Sequence, residues 1–209
     1  MTVFVTKLNS ILFKYHLKRL LNHLSSLDAG KDSFGISTRP GESTAKSDPA
    51  FNDGVATKDL HISTSTSLSV RLFLPATAIS SPSTDSNRTP YRGYSPPMKD
   101  VKQGRKLPIV LQFHGSGFVA GSNESVENDM FCRKVAKQWD STVVAVGYRL
   151  APETRYPGPF EDGVAALNWL ARQFNFAAFN KVGRRGQIFD SFSASMAEPW
   201  LAAHGDPSR

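Results

Sequence analysis

Two short runs, LPIVLQF (107–113) and TVVAVGY (142–148), constrain this chain more than any other feature. Both are nearly unbroken apolar stretches rich in β-branched residues, without the alternation of a half-exposed strand. That pattern belongs to strands buried on both faces, and hence to a sheet lying between helices. A helix is predicted between them, capped by Ser122 or Asn123 and running to about Trp139. Glu124, Glu127 and Asp129 fall early in it and Arg133, Lys134 and Lys137 late, as the helix dipole favours. Val126, Met130, Val135 and Trp139 are expected on one face. Strand, helix and strand in this order predict a right-handed parallel crossover.

The flanking segments extend the α/β pattern. Residues 57–63 and 68–74 alternate apolar and polar, as half-buried antiparallel strands do. Residues 161–174 read as an amphipathic helix with Val164, Leu167, Leu170 and Phe174 inward. Residues 175–190 read as irregular and basic, and 191–203 as weakly helical. Residues 3–27 place Leu8, Ile11, Leu12, Tyr15, Leu20 and Leu24 at helical spacing. Such a helix suits packing on the domain, a membrane surface or a transit peptide, and packing is the expectation. Residues 28–56 read as a connector. The Ser/Thr/Pro-rich segment between Pro75 and Lys106 has no periodicity and is expected to be a mobile excursion. Two regions follow: 1–45, an N-terminal helical cap region, and 46–209, a partial α/β domain with a disordered loop at about 76–106.

Charge excludes one class of partner. The net charge of +7 comes from residues 1–27 and 76–106, which each carry a surplus of four, leaving the remainder near neutral. A nucleic-acid face needs a coherent patch on the folded body, so none is expected. Hydrophobic residues at 40% and charged residues at 21% are values of a globular chain. A single cysteine, Cys132, precludes an internal disulfide and fits a reducing, cytoplasmic setting. No stretch approaches the ~20 apolar residues of a bilayer span, so stable insertion is not expected. With no secretory signal, the sequons at Asn87 and Asn123 are expected to be idle.

The stretch LQFHGSGFVAGS (111–122) opens from the first buried run into a loop with Gly115 and Gly117. In parallel sheets ligands gather at the carboxyl ends of strands. Two glycines there let consecutive N–H groups converge, either on phosphate or on the oxyanion of an acyl-transfer intermediate. A plain turn is the alternative. Neither GxGxxG nor GxxxxGK[ST] is present, which argues against a nucleotide.

HGSGF, followed some thirty residues later by VVAVGYRLAPETRYPGPFEDG, resembles the hormone-sensitive-lipase-like branch of the α/β-hydrolases, with plant carboxylesterases and the related gibberellin receptors nearest. The family loop is His-Gly-Gly-Gly, with Ser116 here at the middle glycine. Tyr148 to Glu153 match the family's Tyr-Arg-Leu-Ala-Pro-Glu without change, and Tyr156, Pro157, Glu161 and Asp162 match its continuation. The resemblance spans about residues 57–209. It implies the N-terminal portion of an α/β-hydrolase fold, a mostly parallel sheet with flanking helices. The implied activity is hydrolysis of small-molecule esters by a serine hydrolase, without cofactor or metal. The N–H groups of Gly115, Ser116 and Gly117 would form the oxyanion hole. His114 would hold the loop by hydrogen bonding, and Arg149, Glu153 and Asp162 would brace the segment after the second buried run.

The mechanism also needs a serine on a G-x-S-x-G elbow, then an acid, then a histidine. No G-x-S-x-G occurs in these 209 residues. Ser191, Ser193 and Ser195 lack flanking glycines, and His204 sits in what reads as a helix end. None of the Ser/Asp/His triad is therefore assigned. The family's helix ends at a segment like MAEPWLAAHGDPSR, just before the strand carrying the nucleophile, which in the family pairs with LPIVLQF. The expectation is an incomplete sheet, exposed along that strand, poorly soluble and inactive alone. A gibberellin-receptor-like binding protein, a non-catalytic truncated product and a peripheral membrane protein remain as alternatives. Oligomeric state is not legible.

Overall fold

The computed structural model describes residues 2–26, 35–79, 105–183 and 198–206. Helix α1 (Thr2–Ser26) precedes strands β1 (Val55–His61) and β2 (Ser69–Pro75). Strand β3 (Leu107–Phe113), helix α2 (Val126–Gln138), strand β4 (Thr142–Gly147) and helix α3 (Gly158–Gly183) follow, then helix α4 (Pro199–His204) and strand β5 (Gly205–Asp206). The sheet order is β1-β2-β4-β3-β5. β1, β2 and β4 pair antiparallel, while β4 with β3 and β3 with β5 pair parallel. The α/β arrangement and the parallel β3–α2–β4 unit expected from the two apolar runs are present.

β4 is buried at every position, as its sequence demands, and joins two core layers. On one face Val144 and Val146 pack with Leu68, Val70, Leu72, Tyr148, Leu150 and residues of α3. On the other, Val143 and Ala145 meet Phe73, Cys132, Val135 and Ala136 of β2 and α2. β3 differs from its expectation. Only Leu107 is fully buried, and Phe113 at its carboxyl end is 47% exposed. β4 covers one of its edges, but β5 covers the other only at Leu107 and Pro108.

Both interior helices turn a different face inward than their apolar spacing suggests. In α2 the buried side chains are Asn128, Asp129, Cys132, Val135 and Ala136, while Met130 and Trp139 are exposed. Polar residues are admitted because each has a partner. Asn128 Nδ2 donates to Gln112 Oε1 while Asn128 Oδ1 accepts from Gln112 Nε2, and Asp129 accepts from Arg71 and Arg133. The helix begins at Val126 after Ser125, not at Ser122 or Asn123. Those two are buried and committed elsewhere, Asn123 Nδ2 donating to Ser69 Oγ and Ser122 O accepting from Ser125 N. Burial of Asn123 removes one sequon from solvent, and Asn87 lies outside the described residues. In α3, Ala166 and Leu170 are buried whereas Val164 and Leu167 are exposed. The helix runs on to Gly183, through much of the segment expected to be irregular.

Helix α1 forms where the spacing predicts, but residues 6–15 are all exposed, so the expected packing on the domain does not occur there. The excursion after Pro75 begins with a 3-10 turn (Ala76–Ala78) whose Ala78 is buried, and residues 80–104 lie outside the described residues. So do Ser191, Ser193 and Ser195.

Candidate active site

Because β3 and β4 are parallel, the loops leaving their carboxyl ends emerge side by side. After β3, Ser116, Gly117 and Phe118 have φ of 75°, 63° and 65°. Three successive residues in the left-handed region make one left-handed turn, closed by Val119 N–H donating to Ser116 O at 3.2 Å. At the start of such a turn the N–H groups have no acceptor within it and point the same way. Among the described residues none accepts from the N–H of Gly115, Ser116, Gly117 or Phe118. Ser116 and Gly117, two of the three residues expected to form an oxyanion hole, therefore point their N–H groups the same way, and Gly115 stands immediately before them.

What aims these donors is visible at the other end of each peptide. In a planar trans peptide, C=O and N–H point in opposite directions. Tyr148 Oη donates to His114 O at 2.7 Å, which fixes the peptide carrying the Gly115 N–H. His114 Nδ1 donates to Gly115 O at 3.2 Å, and Tyr148 Oη lies 3.4 Å from the same oxygen, fixing the Ser116 N–H. The Val119-to-Ser116 bond fixes the Gly117 N–H. Each donor is thus held by its own carbonyl.

His114 is buried and its ring stacks on Tyr148, centroids 4.2 Å apart and planes 6° apart. Burial lowers its pKa, only partly offset by the bond to the Gly115 carbonyl, so the ring is neutral. Since Nδ1 faces a carbonyl it carries the proton, leaving Nε2 a buried acceptor with no partner among the described residues. Burial also pushes Tyr148 up to about 12, so its hydroxyl remains a donor. Gly121 is required here: its φ is 80°, and a Cβ would stand 2.9 Å from His114 Nδ1.

The segment after β4 is braced by ion pairs. Asp162 accepts from Arg149 Nε, NH2 and backbone N, at 2.8–3.1 Å. The bond to Asp162 is the main reason the Arg149 pKa is raised. Arg39, which the sequence reading overlooked, reaches across the two loops. Its guanidinium donates to Glu153 Oε1 at 2.7 Å, to Val119 O at 2.8 Å and to Ala151 O. Phe118 O accepts from Ala151 N at 2.8 Å and completes the join. A second overlooked group, Arg71, lies beneath β1 and α2, bound to Asp59, Asp129 and Ala45 O. No local motif marks either arginine.

Two cavities border the loop. One, of about 500 Å³, is lined by Leu111, Phe113, Phe118, Phe160, Val164 and Leu167 together with Gly115 and Gly117. The exposed apolar residues of α3 therefore face this space instead of the core. The other, of about 850 Å³, is more polar, with Arg39, Glu42, Gln112, Ser116, Glu127 and Asn128. Phe118 links the first to an aromatic series through Tyr148 and Phe160, with Tyr156 edge-on to Phe160. Among the described residues no group of three His, Cys, Asp or Glu side chains could hold a metal. His204 lies at the end of α4, immediately before β5.

The sequence pattern of the α/β-hydrolase fold matches residues 110–209. Over 97% of its length the chain is similar to probable carboxylesterase 16 of Arabidopsis thaliana, at 45% identity, and to probable carboxylesterase 11 of the same plant, at 42%. It spans 58% and 60% of the length of those two relatives. Among solved structures it is similar to the esterase of Pyrobaculum calidifontis. There the identity is 29% and the TM-score 0.40, over 57% of this chain and 30% of that one.

Proposed function

This chain belongs to the α/β-hydrolase fold family, and we propose that it supplies the oxyanion-hole half of a carboxylic-ester hydrolase acting on small-molecule esters. The observation that carries the reading is the left-handed turn 116–118, whose N–H groups have no described acceptor while the carbonyls of Ser116 and Phe118 accept from Val119 and Ala151. In this reading a serine attacks the ester carbonyl, and the negative charge that develops on its oxygen falls among the N–H groups of Gly115, Ser116 and Gly117. Donors fixed beforehand need no reorganisation as the charge appears, which is where such sites gain most of their rate. Backbone donors serve whatever the side chain, so Ser116 keeps the hole that a glycine would form.

The nucleophile, acid and base come from outside the residues assigned here. No G-x-S-x-G occurs in the 209 residues, and these residues alone are expected not to turn over p-nitrophenyl acetate. The buried reduced thiol of Cys132 supports placing the chain in a reducing compartment, the cytoplasm.

The test is a chimera in which residues 1–209 replace the matching part of Arabidopsis probable carboxylesterase 16. It should hydrolyse p-nitrophenyl esters. Gly117→Val, which cannot hold the left-handed φ, should lower kcat by roughly 10²–10³. A folded chimera without esterase activity, or a Gly117→Val chimera at full rate, would sink the proposal.

A further inference from the structure

Helix α1 is not used by the site or by the core. Its residues 6–15 are exposed without interruption, including Leu8, Ile11, Leu12 and Phe13. Leu8, Ile11 and Leu12 stand at i, i+3 and i+4 and form one face. Lys7, Lys14 and Lys18 stand at i, i+7 and i+11 and form a stripe beside it, with Lys7, Lys14, Lys18 and Arg19 all exposed. The helix contains no acidic residue. With residues 6–15 exposed, this part of the helix has no buried apolar face, and helical stability in water comes mostly from packing such a face.

We propose that α1 is a membrane-surface helix that lies on an anionic bilayer, with Leu8, Ile11 and Leu12 among the acyl chains and the lysine stripe at the headgroups. Charge complementarity selects this occupant. A phosphate-bearing surface satisfies the lysines, and an apolar layer just beneath it takes the leucine face; a nucleic acid offers only the first. A second copy of the helix offers only the second, because pairing would bring like-charged lysines together with no acid to offset them. The mode is peripheral, since among the described residues no helix is long and apolar enough to cross a membrane. The helix would tether the rest of the chain to a membrane, without contributing to the site at β3.

The test is flotation of the full chain with vesicles of phosphatidylcholine and phosphatidylserine at 70:30, beside vesicles of phosphatidylcholine alone. Binding should favour the anionic vesicles, weaken with salt and raise helicity by circular dichroism. Lys7→Glu/Lys14→Glu/Lys18→Glu should weaken it at least a hundredfold, at about fivefold per lysine lost. Leu8→Ser/Ile11→Ser/Leu12→Ser should abolish it. Both variants should leave the thermal transition of the body unchanged, since these side chains are exposed. Equal binding to both vesicle types, no binding to either, or indifference to the lysine variant overturns the proposal. So does a vesicle-free dimer in analytical ultracentrifugation that the leucine variant dissociates.

Discussion

After β3 and after β4 the chain makes two loops that touch each other, and they handle polar groups in opposite ways. Residues 114–116 direct their carbonyls to Tyr148, His114 and Val119, and residues 115–118 leave four N–H groups without a described acceptor. Residues 148–162 pair their charges: Arg149 is bound at three nitrogens by Asp162, and Glu153 Oε1 is held by Arg39, with only Oε2 of that carboxylate buried and unpartnered among the described residues. The first arrangement suits a surface that works on an incoming charge, since donors already fixed in place need no reorganisation when the charge appears. The second suits a buttress. Tyr148 belongs to both, as the first residue beyond β4 and the donor that orients the first loop.

The largest separation of the two roles should come from the buttress. Asp162 is 2% exposed and Arg149 has no second carboxylate in contact. Asp162→Asn leaves a nearly buried guanidinium without its counter-charge, a change that typically costs about 3–5 kcal/mol. Urea unfolding should show a loss of that order. A loss under 1 kcal/mol would mean that solvent, not Asp162, satisfies Arg149.

Tyr148→Phe should act on the other side of the comparison. The ring, and with it the stack on His114, is kept, but the carbonyls of His114 and Gly115 lose a donor. The expected cost is about 1–3 kcal/mol, the penalty for a buried acceptor left unmet. By NMR relaxation, backbone motion at Gly115 and Ser116 should speed up while motion within β4 does not. Uniform acceleration across both loops would show that the hydroxyl holds the fold as a whole and not the donors.

Acidity should loosen the same loop. Burial favours neutral His114 in the fold, so its folded pKa lies below the ordinary 6.5 of an exposed ring. The unfolded chain therefore takes up the proton first, and the stability due to the neutral ring, present above pH 6.5, is lost as pH falls towards the folded value. His204 is lowered by burial as well and contributes in the same sense. His114→Gln should flatten the part of the melting-temperature profile below pH 6.5 that belongs to the loop. An unchanged slope would assign the whole effect elsewhere.

How much of this was legible depends on where partners sit along the chain. The two apolar runs gave β3, β4 and the helix between them, because burial on both faces writes itself into consecutive residues. HGSGF and YRLAPE marked both loops for the same reason, and Arg149 and Asp162 are near neighbours in sequence. Arg39 escaped because its partners are more than a hundred residues away or nearly so and it lies in no patterned run, and Arg71 because a charged residue in an alternating strand reads as solvent-facing until Asp59 and Asp129 are seen to meet it. The inward face of α2 was misread because Asn128 and Asp129 look like solvent residues until Gln112 and Arg71 are known to meet them. In α3, Val164 and Leu167 look like core residues until the cavity beside β3 is seen. Periodicity reports polarity, and polarity marks burial only where nothing inside answers it.

The smallest effect is the sharpest test of the turn. Ser116 is a non-glycine residue at φ 75°, beside Gly117 at 63°. Left-handed backbone costs an ordinary L-residue roughly 1–2 kcal/mol. Ser116→Gly removes that strain but returns about 0.5–1 kcal/mol through the freedom glycine has in the unfolded chain. The net gain should be under about 1 kcal/mol, with the donors unmoved. Gly117→Ala runs the argument backwards: strain is added and unfolded-state freedom removed, for a net loss of similar size. A Cβ at Gly117 meets nothing within 4 Å, so crowding cannot account for that loss. Opposite signs at adjacent residues, read by urea unfolding of the two variants, would isolate the left-handed backbone as their common cause. The same sign at both would mean that the turn is not left-handed in solution, and the parallel set of N–H donors would go with it.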